Sequence, residues 1–193
     1  PGGLRVIIAD DAVLLREGLV RLLSEQGHDV VAAVGDGPSL VSAVAAYSAN
    51  LLLDPDAVRR ASALAWYRQA IHFSGLLGAS ATGGHVGALS VADASDPVRR
   101  TDRWADLQKS LGELAADARV AGLQTVLVEN LAAAREPSTM EQIRSLIRPA
   151  TDRAAAVALC LDVGHMCVPG TSGDDRDPYA WLRIMGRDAP IIQ

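Results

Sequence analysis

Carboxylates close several of the apolar runs in this chain. Glu129 ends Thr125–Glu129, Asp162 ends Ala156–Asp162, and the pair Asp10 and Asp11 follows Arg5–Ala9. If these runs are buried parallel strands, their last residues stand at the carboxyl edge, where α/β sheets and barrels place their sites. Two carboxylates brought together at such an edge can hold a hard divalent cation, which prefers oxygen ligands. Histidines lie close by in sequence. His165 is three residues after Asp162, and His85 sits within Thr82-Gly-Gly-His-Val-Gly87. Each acid also has a plainer reading. Asp10 and Asp11 would serve as an acid pair at a helix N-terminus. Glu129 would serve as a salt-bridged strand-end acid, Asp162 as a cap for the loop behind it, and Asp54 as a loop aspartate before a helix. His28 and His72 read as ordinary surface or helix residues.

The elements that must position these groups alternate between short β-rich runs and longer helical patterns, the mark of a parallel α/β sheet. The expected strands are Arg5–Ala9, Asp29–Val34, Ala79–Val86, Thr125–Glu129, Ala156–Asp162 and Ala189–Gln193, with Leu51–Leu53 a further, very short one. Several are apolar without alternation, as strands covered on both faces are. Leu15, Leu19, Leu22 and Leu23 make one helical stripe, and Leu64, Tyr67 and Ile71 another. Trp104, Leu107, Leu111, Leu114 and Ala118 recur at spacings of three and four, which predicts a helix over Pro97–Ala121. Ser138 and Glu141 form a capping-box pattern before Ile143, Leu146 and Ile147. Loops cluster at Gly35–Pro38, Thr82–Gly87 and Pro169–Pro178.

Composition bounds the rest. The 193 residues suffice for one large domain or two small ones. Hydrophobic residues make up 49% and aromatics 4%, so the core must be built mostly from Ala, Val and Leu. A net charge of −5 argues against a nucleic-acid partner, which would require a concentrated basic face. No stretch reaches the ~18 consecutive apolar residues of a membrane span. The N-terminal residues lack the order of a signal peptide. Cys160 and Cys167 are no disulfide framework. A reduced, cytoplasmic state is expected, with Cys160 a small core residue.

The string LRVIIADDAVLLREGLVRLLSEQGHDVVAAVGDGPSLVSAV closely resembles the first two βα units of a response-regulator receiver domain, over about residues 4–47. The resemblance implies that Asp10 and Asp11 help bind a metal. A third aspartate would accept a phosphoryl group. Asp54, in Leu51-Leu-Leu-Asp54-Pro-Asp, stands about one residue early for that role. No Met-Pro turn follows it, and the later Thr/Ser and Lys-Pro markers are missing.

From about residue 49 to 193 the chain resembles a different family, the xylose-isomerase-like (βα)₈ sugar and sugar-phosphate isomerases and epimerases. The strings that carry this are LLLDPDAVRRASALAWYRQAIHFSGLLGASATGGHVGALS, LVENLAAAREPSTMEQIRSL and LCLDVGHMCVPGTSGDDRDPYAWL. Moving a proton between carbons of a ketose or aldose needs a carboxylate base and an electrophile that stabilises the enediolate. The resemblance implies Glu129 and Asp162 as ligands of Mn²⁺ or Mg²⁺, with Glu129 also a base. It implies that His165 and His85 contact substrate hydroxyls. The family draws a further histidine and glutamate from strands beyond residue 193, so impaired turnover is expected.

Together these readings describe a hybrid α/β chain: a parallel sheet of βα units, either incomplete and TIM-barrel-like or open and flavodoxin-like. A receiver-like segment, 1–48, and a partial isomerase/epimerase-like segment, 49–193, would make one continuous domain. The leading function is a metal-dependent sugar or sugar-phosphate isomerase or epimerase. The alternatives are a phosphoacceptor receiver and a non-catalytic chimeric scaffold. The partner is a small sugar or sugar phosphate, with neither nucleic acid nor membrane. Exposed sheet edges would allow a homo-oligomer.

Overall fold

The computed structural model describes residues 5–9, 12–35, 51–166 and 169–192. Asp10, Asp11, Cys167, Gln193 and most of the loop Gly35–Pro38 lie outside the described residues. Strands β1 (Arg5–Ala9) and β2 (Asp29–Val34) pair in parallel, with helix α1 (Val13–Glu25) between them. A second parallel sheet holds β3 (Ala81–Gly84), β4 (Thr125–Glu129), β5 (Ala156–Leu161) and β6 (Ile191–Ile192) in sequential order. Helix α2 (Ala57–Leu76) precedes β3. Helices α3 (Val91–Ser95) and α4 (Pro97–Val120) lead to β4, α5 (Met140–Leu146) to β5, and α6 (Pro178–Met185) to β6. Sequential parallel strands with a helix in each connection wind as an arc of a (βα) barrel, here a half-barrel.

Local chemistry sets where the helices begin. Asp96 accepts hydrogen bonds from the N–H groups of Val98 and Arg99 at 2.9 and 3.2 Å, and Pro97 opens α4 where its missing N–H costs nothing. Asp177 and Pro178 repeat the device for α6, and Asp56 caps α2. The capping box of α5 lies one residue later than expected. Thr139 Oγ1 accepts from Gln142 N–H at 3.2 Å, while Gln142 Oε1 accepts from the N–H groups of Ser138 and Thr139 at 2.9 and 3.1 Å. The Gln142 amide oxygen reaches two orphan donors at once, so Thr139, not Ser138, is the cap.

Alternation along the strands separates two faces. Val126 and Val128 of β4 stand opposite Val157 and Leu159 of β5, and all four pack with Leu107, Leu111, Leu114 and Ala118 of α4. Trp181 and Met185 of α6 join the same core. Leu127, Glu129, Ala158 and Cys160 occupy the opposite face by register. Leu111 is 1% exposed. Leu111→Ala is expected to lower the free energy of unfolding by about 2–5 kcal/mol through lost burial and the cavity left behind, read by urea denaturation.

Several elements differ from expectation: β5 ends at Leu161 rather than Asp162, and β6 begins at Ile191 rather than Ala189. Leu51–Leu53 is not a strand; Leu52 and Leu53 are buried, and Leu52 N–H donates to Val86 O at 3.1 Å. Strand β3 is Ala81–Gly84, shorter than Ala79–Val86, because pairing with β4 covers only those four residues. The stripe on α1 is largely uncovered, with Leu15 and Leu22 exposed. Among the described residues, no helix is long and apolar enough to cross a membrane.

Candidate functional site

Glu129 is the last residue of β4, and its register partner on β5 is Cys160. Asp162 lies two residues beyond Cys160, on the same face by alternation. A 3₁₀ turn, Val163–Met166, then brings His165 back over the strand ends. The turn is held by Asp162 itself, whose Oδ1 accepts from Gly164 N–H at 2.7 Å. Ligand atoms of Glu129, Asp162 and His165 all lie within 4.8 Å of one another. The two carboxylates that the sequence places at successive strand ends are thus side by side, with His165 between them.

His165 Nδ1 stands 3.4 Å from Glu129 Oε1, 3.4 Å from Asp162 Oδ2 and 3.0 Å from the backbone oxygen of Asn130. All three neighbours are acceptors, so Nδ1 carries the proton and donates to Asn130 O. That tautomer leaves Nε2 as the acceptor nitrogen. Two carboxylate oxygens and a nearby imidazole form a hard-to-borderline donor set of the kind that can hold a divalent cation. With Nδ1 protonated, the ligands this chain offers are Glu129 and Asp162.

Burial pushes the Glu129 carboxyl above the ordinary range, and the like charges of Asp162 and Glu136 add to that. His165 and His85 pull the other way. A group with a raised folded pKa stabilises the fold while protonated and loses that contribution as pH rises through the folded value. In metal-free protein, Glu129→Gln is therefore expected to raise the melting temperature near pH 7 to 8. The gain should shrink as pH falls to about 4, near the unfolded pKa of glutamate. A melting temperature lowered equally at both pH values would contradict it. The Cys160 thiol, buried beneath the two acids, is pushed up to about 12 and stays protonated at neutral pH.

His85 occupies a separate network. Its Nδ1 accepts from Gly87 N–H at 3.1 Å, so Nε2 carries the proton and donates to Glu136 Oε1 at 3.1 Å. Glu136 Oε2 accepts from Ala133 N–H at 3.0 Å, and the buried Tyr67 hydroxyl donates to the backbone oxygen of His85. Burial, then the charge of Glu129, raises the pKa of Tyr67. Both ring nitrogens of His85 are thus engaged within the protein. Asp54 accepts from Asp56 N–H at 2.8 Å in a turn ahead of α2. Its backbone oxygen accepts from Arg60 at 2.8 Å.

Sequence reasoning passed over two residues. Asn130 is 1% exposed, and its side chain hydrogen-bonds the backbone of Asp162 twice. Glu136 anchors His85. A polar amide directly after the strand-end glutamate was the visible sign of the first; nothing local marked the second.

The profile of the family described as xylose isomerase-like TIM barrel matches residues 14–191. The D-erythrulose 1-phosphate 3-epimerase of Brucella abortus is 29% identical over 141 residues, covering 72% of this chain and 46% of that protein. The chain spans about half the length of that curated relative. Among solved structures, a xylose isomerase-type protein from Rhodospirillum rubrum superposes with a TM-score of 0.68 at 23% identity, over 98% of this chain and 66% of that one. The D-psicose 3-epimerase of Clostridium cellulolyticum gives 0.53 at 18% identity, over 96% and 61%.

The match from residue 14 takes in most of the segment that resembles a receiver, so the hybrid reading gains no support. Both folds are built from βα units, and an apolar strand, an acid pair and a Leu-rich helix satisfy either pattern locally. The likeness to epimerases and isomerases runs through fold, family and curated relative alike. The chain belongs to the xylose isomerase-like TIM barrel family.

Proposed function

We propose that Glu129, Asp162 and His165 form part of a divalent-metal site for epimerising or isomerising a small ketose or its phosphate. The observation that carries this reading is the convergence of the three side chains within 4.8 Å at the ends of adjacent parallel strands. The curated relative acts, by its name, on a tetrulose phosphate, which makes that substrate class the first to test.

Glu129 and Asp162 would hold Mn²⁺ or Mg²⁺. A bound cation polarises a carbonyl oxygen and so acidifies the adjacent C–H. Glu129 would take that proton through its carboxylate. His165 would offer Nε2 to a substrate hydroxyl while Nδ1–H stays on Asn130 O. His85, tied to Glu136, would line the same rim as a fixed wall.

Metal binding tests the reading directly. Titration with Mn²⁺, followed by the electron paramagnetic resonance signal of the free ion, should show binding to the wild type. Asp162→Asn should weaken it by about tenfold or more, with circular dichroism unchanged. Wild-type protein that depletes free Mn²⁺ no better than Asp162→Asn would sink the proposal.

A further inference from the structure

The geometry points to Asn130 as the positioning residue of this site: its side chain clamps the backbone of Asp162 and so aims that residue at Glu129, while its backbone oxygen holds His165 beside both. The inference rests on the metal-site reading above and adds a residue to it. Strand pairing between β4 and β5 runs from Thr125 opposite Ala156 to Glu129 opposite Cys160 and then stops. Asp162, past the last paired residue, needs other partners for its N–H and C=O. The Asn130 side chain supplies both, and His165 N–H reaches Asp162 O more weakly at 3.4 Å. Its Nδ2 donates to Asp162 O at 2.8 Å, and its Oδ1 accepts from Asp162 N–H at 2.8 Å.

Two bonds to the backbone of one residue restrict its rotation as a ladder pair would, and backbone direction sets where its Cβ points. The side chain of Asp162 is therefore directed before any ligand arrives. The same residue acts twice more. Its backbone oxygen receives Nδ1–H of His165 at 3.0 Å, and its peptide bond follows Glu129 directly. All three members of the cluster thus meet at one buried residue, Asp162 through its side-chain amide and His165 through its backbone oxygen.

Other side chains would fail at this position. Aspartate keeps the acceptor but has no N–H for Asp162 O, and it adds charge beside two carboxylates. Serine has one polar atom where two separate partners must be met. Glutamine has the right groups one methylene too far out. Alanine leaves both backbone groups of Asp162 without these partners.

The test uses metal-free and Mn²⁺-loaded protein with Asn130→Ala, Asn130→Gln and, as a destabilised control remote from the cluster, Leu111→Ala. Amide hydrogen exchange by NMR in metal-free protein reads the clamp. Asp162 N–H should exchange about tenfold faster or more in Asn130→Ala, while Leu159 N–H within β5 stays near its wild-type rate. Mn²⁺ titration reads its consequence. Both Asn130 variants should bind about 10–100-fold more weakly, whereas Leu111→Ala should lose thermal stability and keep its affinity. An Asp162 amide that exchanges at the wild-type rate in Asn130→Ala overturns the clamp. Affinity within about twofold of wild type in the Asn130 variants overturns the positioning role. If Asn130→Ala does not fold, Asn130→Gln carries both measurements. Wild-type protein that binds no Mn²⁺ would instead defeat the metal site itself, and the exchange rates would still decide whether the clamp exists.

Discussion

If the proposed function holds, replacing Glu129 with glutamine is expected to slow whatever Mn²⁺-dependent exchange the wild type shows at the hydrogen beside the carbonyl of a tetrulose phosphate by about 10²–10⁴-fold. That corresponds to roughly 3–5 kcal/mol of lost transition-state stabilisation. Glutamine keeps the volume of the side chain and one acceptor oxygen, so the fold around β4 should survive. It removes the charge and, with it, the proton acceptor. Because Glu129 would also bind the metal, the comparison must be made at saturating Mn²⁺, where weakened affinity no longer limits the rate. The readout is deuterium incorporation from solvent, followed by NMR or mass. Under these conditions kcat should fall far more than KM rises, since the interaction is made with the moving proton. Exchange that matches the wild type at saturating metal would show that another group takes the proton.

The second large effect is structural and lies beside the same strand. Gly83 in β3 has φ of 143°, a region that L side chains rarely adopt. A Cβ there would fall 2.1 Å from the backbone oxygen of Leu127 and 2.5 Å from its nitrogen. These are backbone atoms of β4, so no side-chain rotation relieves the contact. Strain of this kind costs about 1–3 kcal/mol by itself. Separating two paired strands adds to that, and Gly83→Ala is expected to lower stability by about 3–5 kcal/mol in urea denaturation. Leu127 is two residues before Glu129, so the displaced strand should also weaken Mn²⁺ binding. A loss below about 1 kcal/mol would show that β3 can slide along β4 without harm.

Much of the fold was legible because it depends on neighbours in sequence. Arg5–Ala9, Asp29–Val34 and Thr125–Glu129 occur at their expected bounds, each an uninterrupted β-rich run. The helix that starts at Pro97 follows from the Asp-Pro pair and from a stripe recurring every three or four residues. Boundaries failed where pairing with a neighbour sets strand length, as in β3, or where two caps compete, as Ser138 and Thr139 do. The likeness of residues 4–47 to a receiver shows the limit of local pattern. A βα unit looks alike in either fold, and the match over residues 14–191 assigns most of that stretch to the barrel family.

The site divides along the same line. That Glu129 ends one strand was legible in the sequence, because an apolar run closed by an acid is a local feature; Asp162, expected to end the next, instead directly follows it. Strings such as Leu-Val-Glu-Asn and Leu-Asp-Val-Gly-His pointed to the family for residues 49–193, while the stretch before them pointed elsewhere. Only the tertiary structure decided that β4 and β5 are neighbours, that their register sets Glu129 opposite Cys160, and that a 3₁₀ turn returns His165 to both acids. It alone set the His165 tautomer, which follows from three acceptors drawn from different parts of the chain. It alone revealed the Asn130 clamp, which joins residues 32 apart, and the His85–Glu136 pair, which joins residues 51 apart. The physical reason is one of range. Propensity, capping and periodicity are written into adjacent residues, whereas hydrogen bonds between strand ends depend on which strands pair and in what register, and that is decided by packing of the whole core.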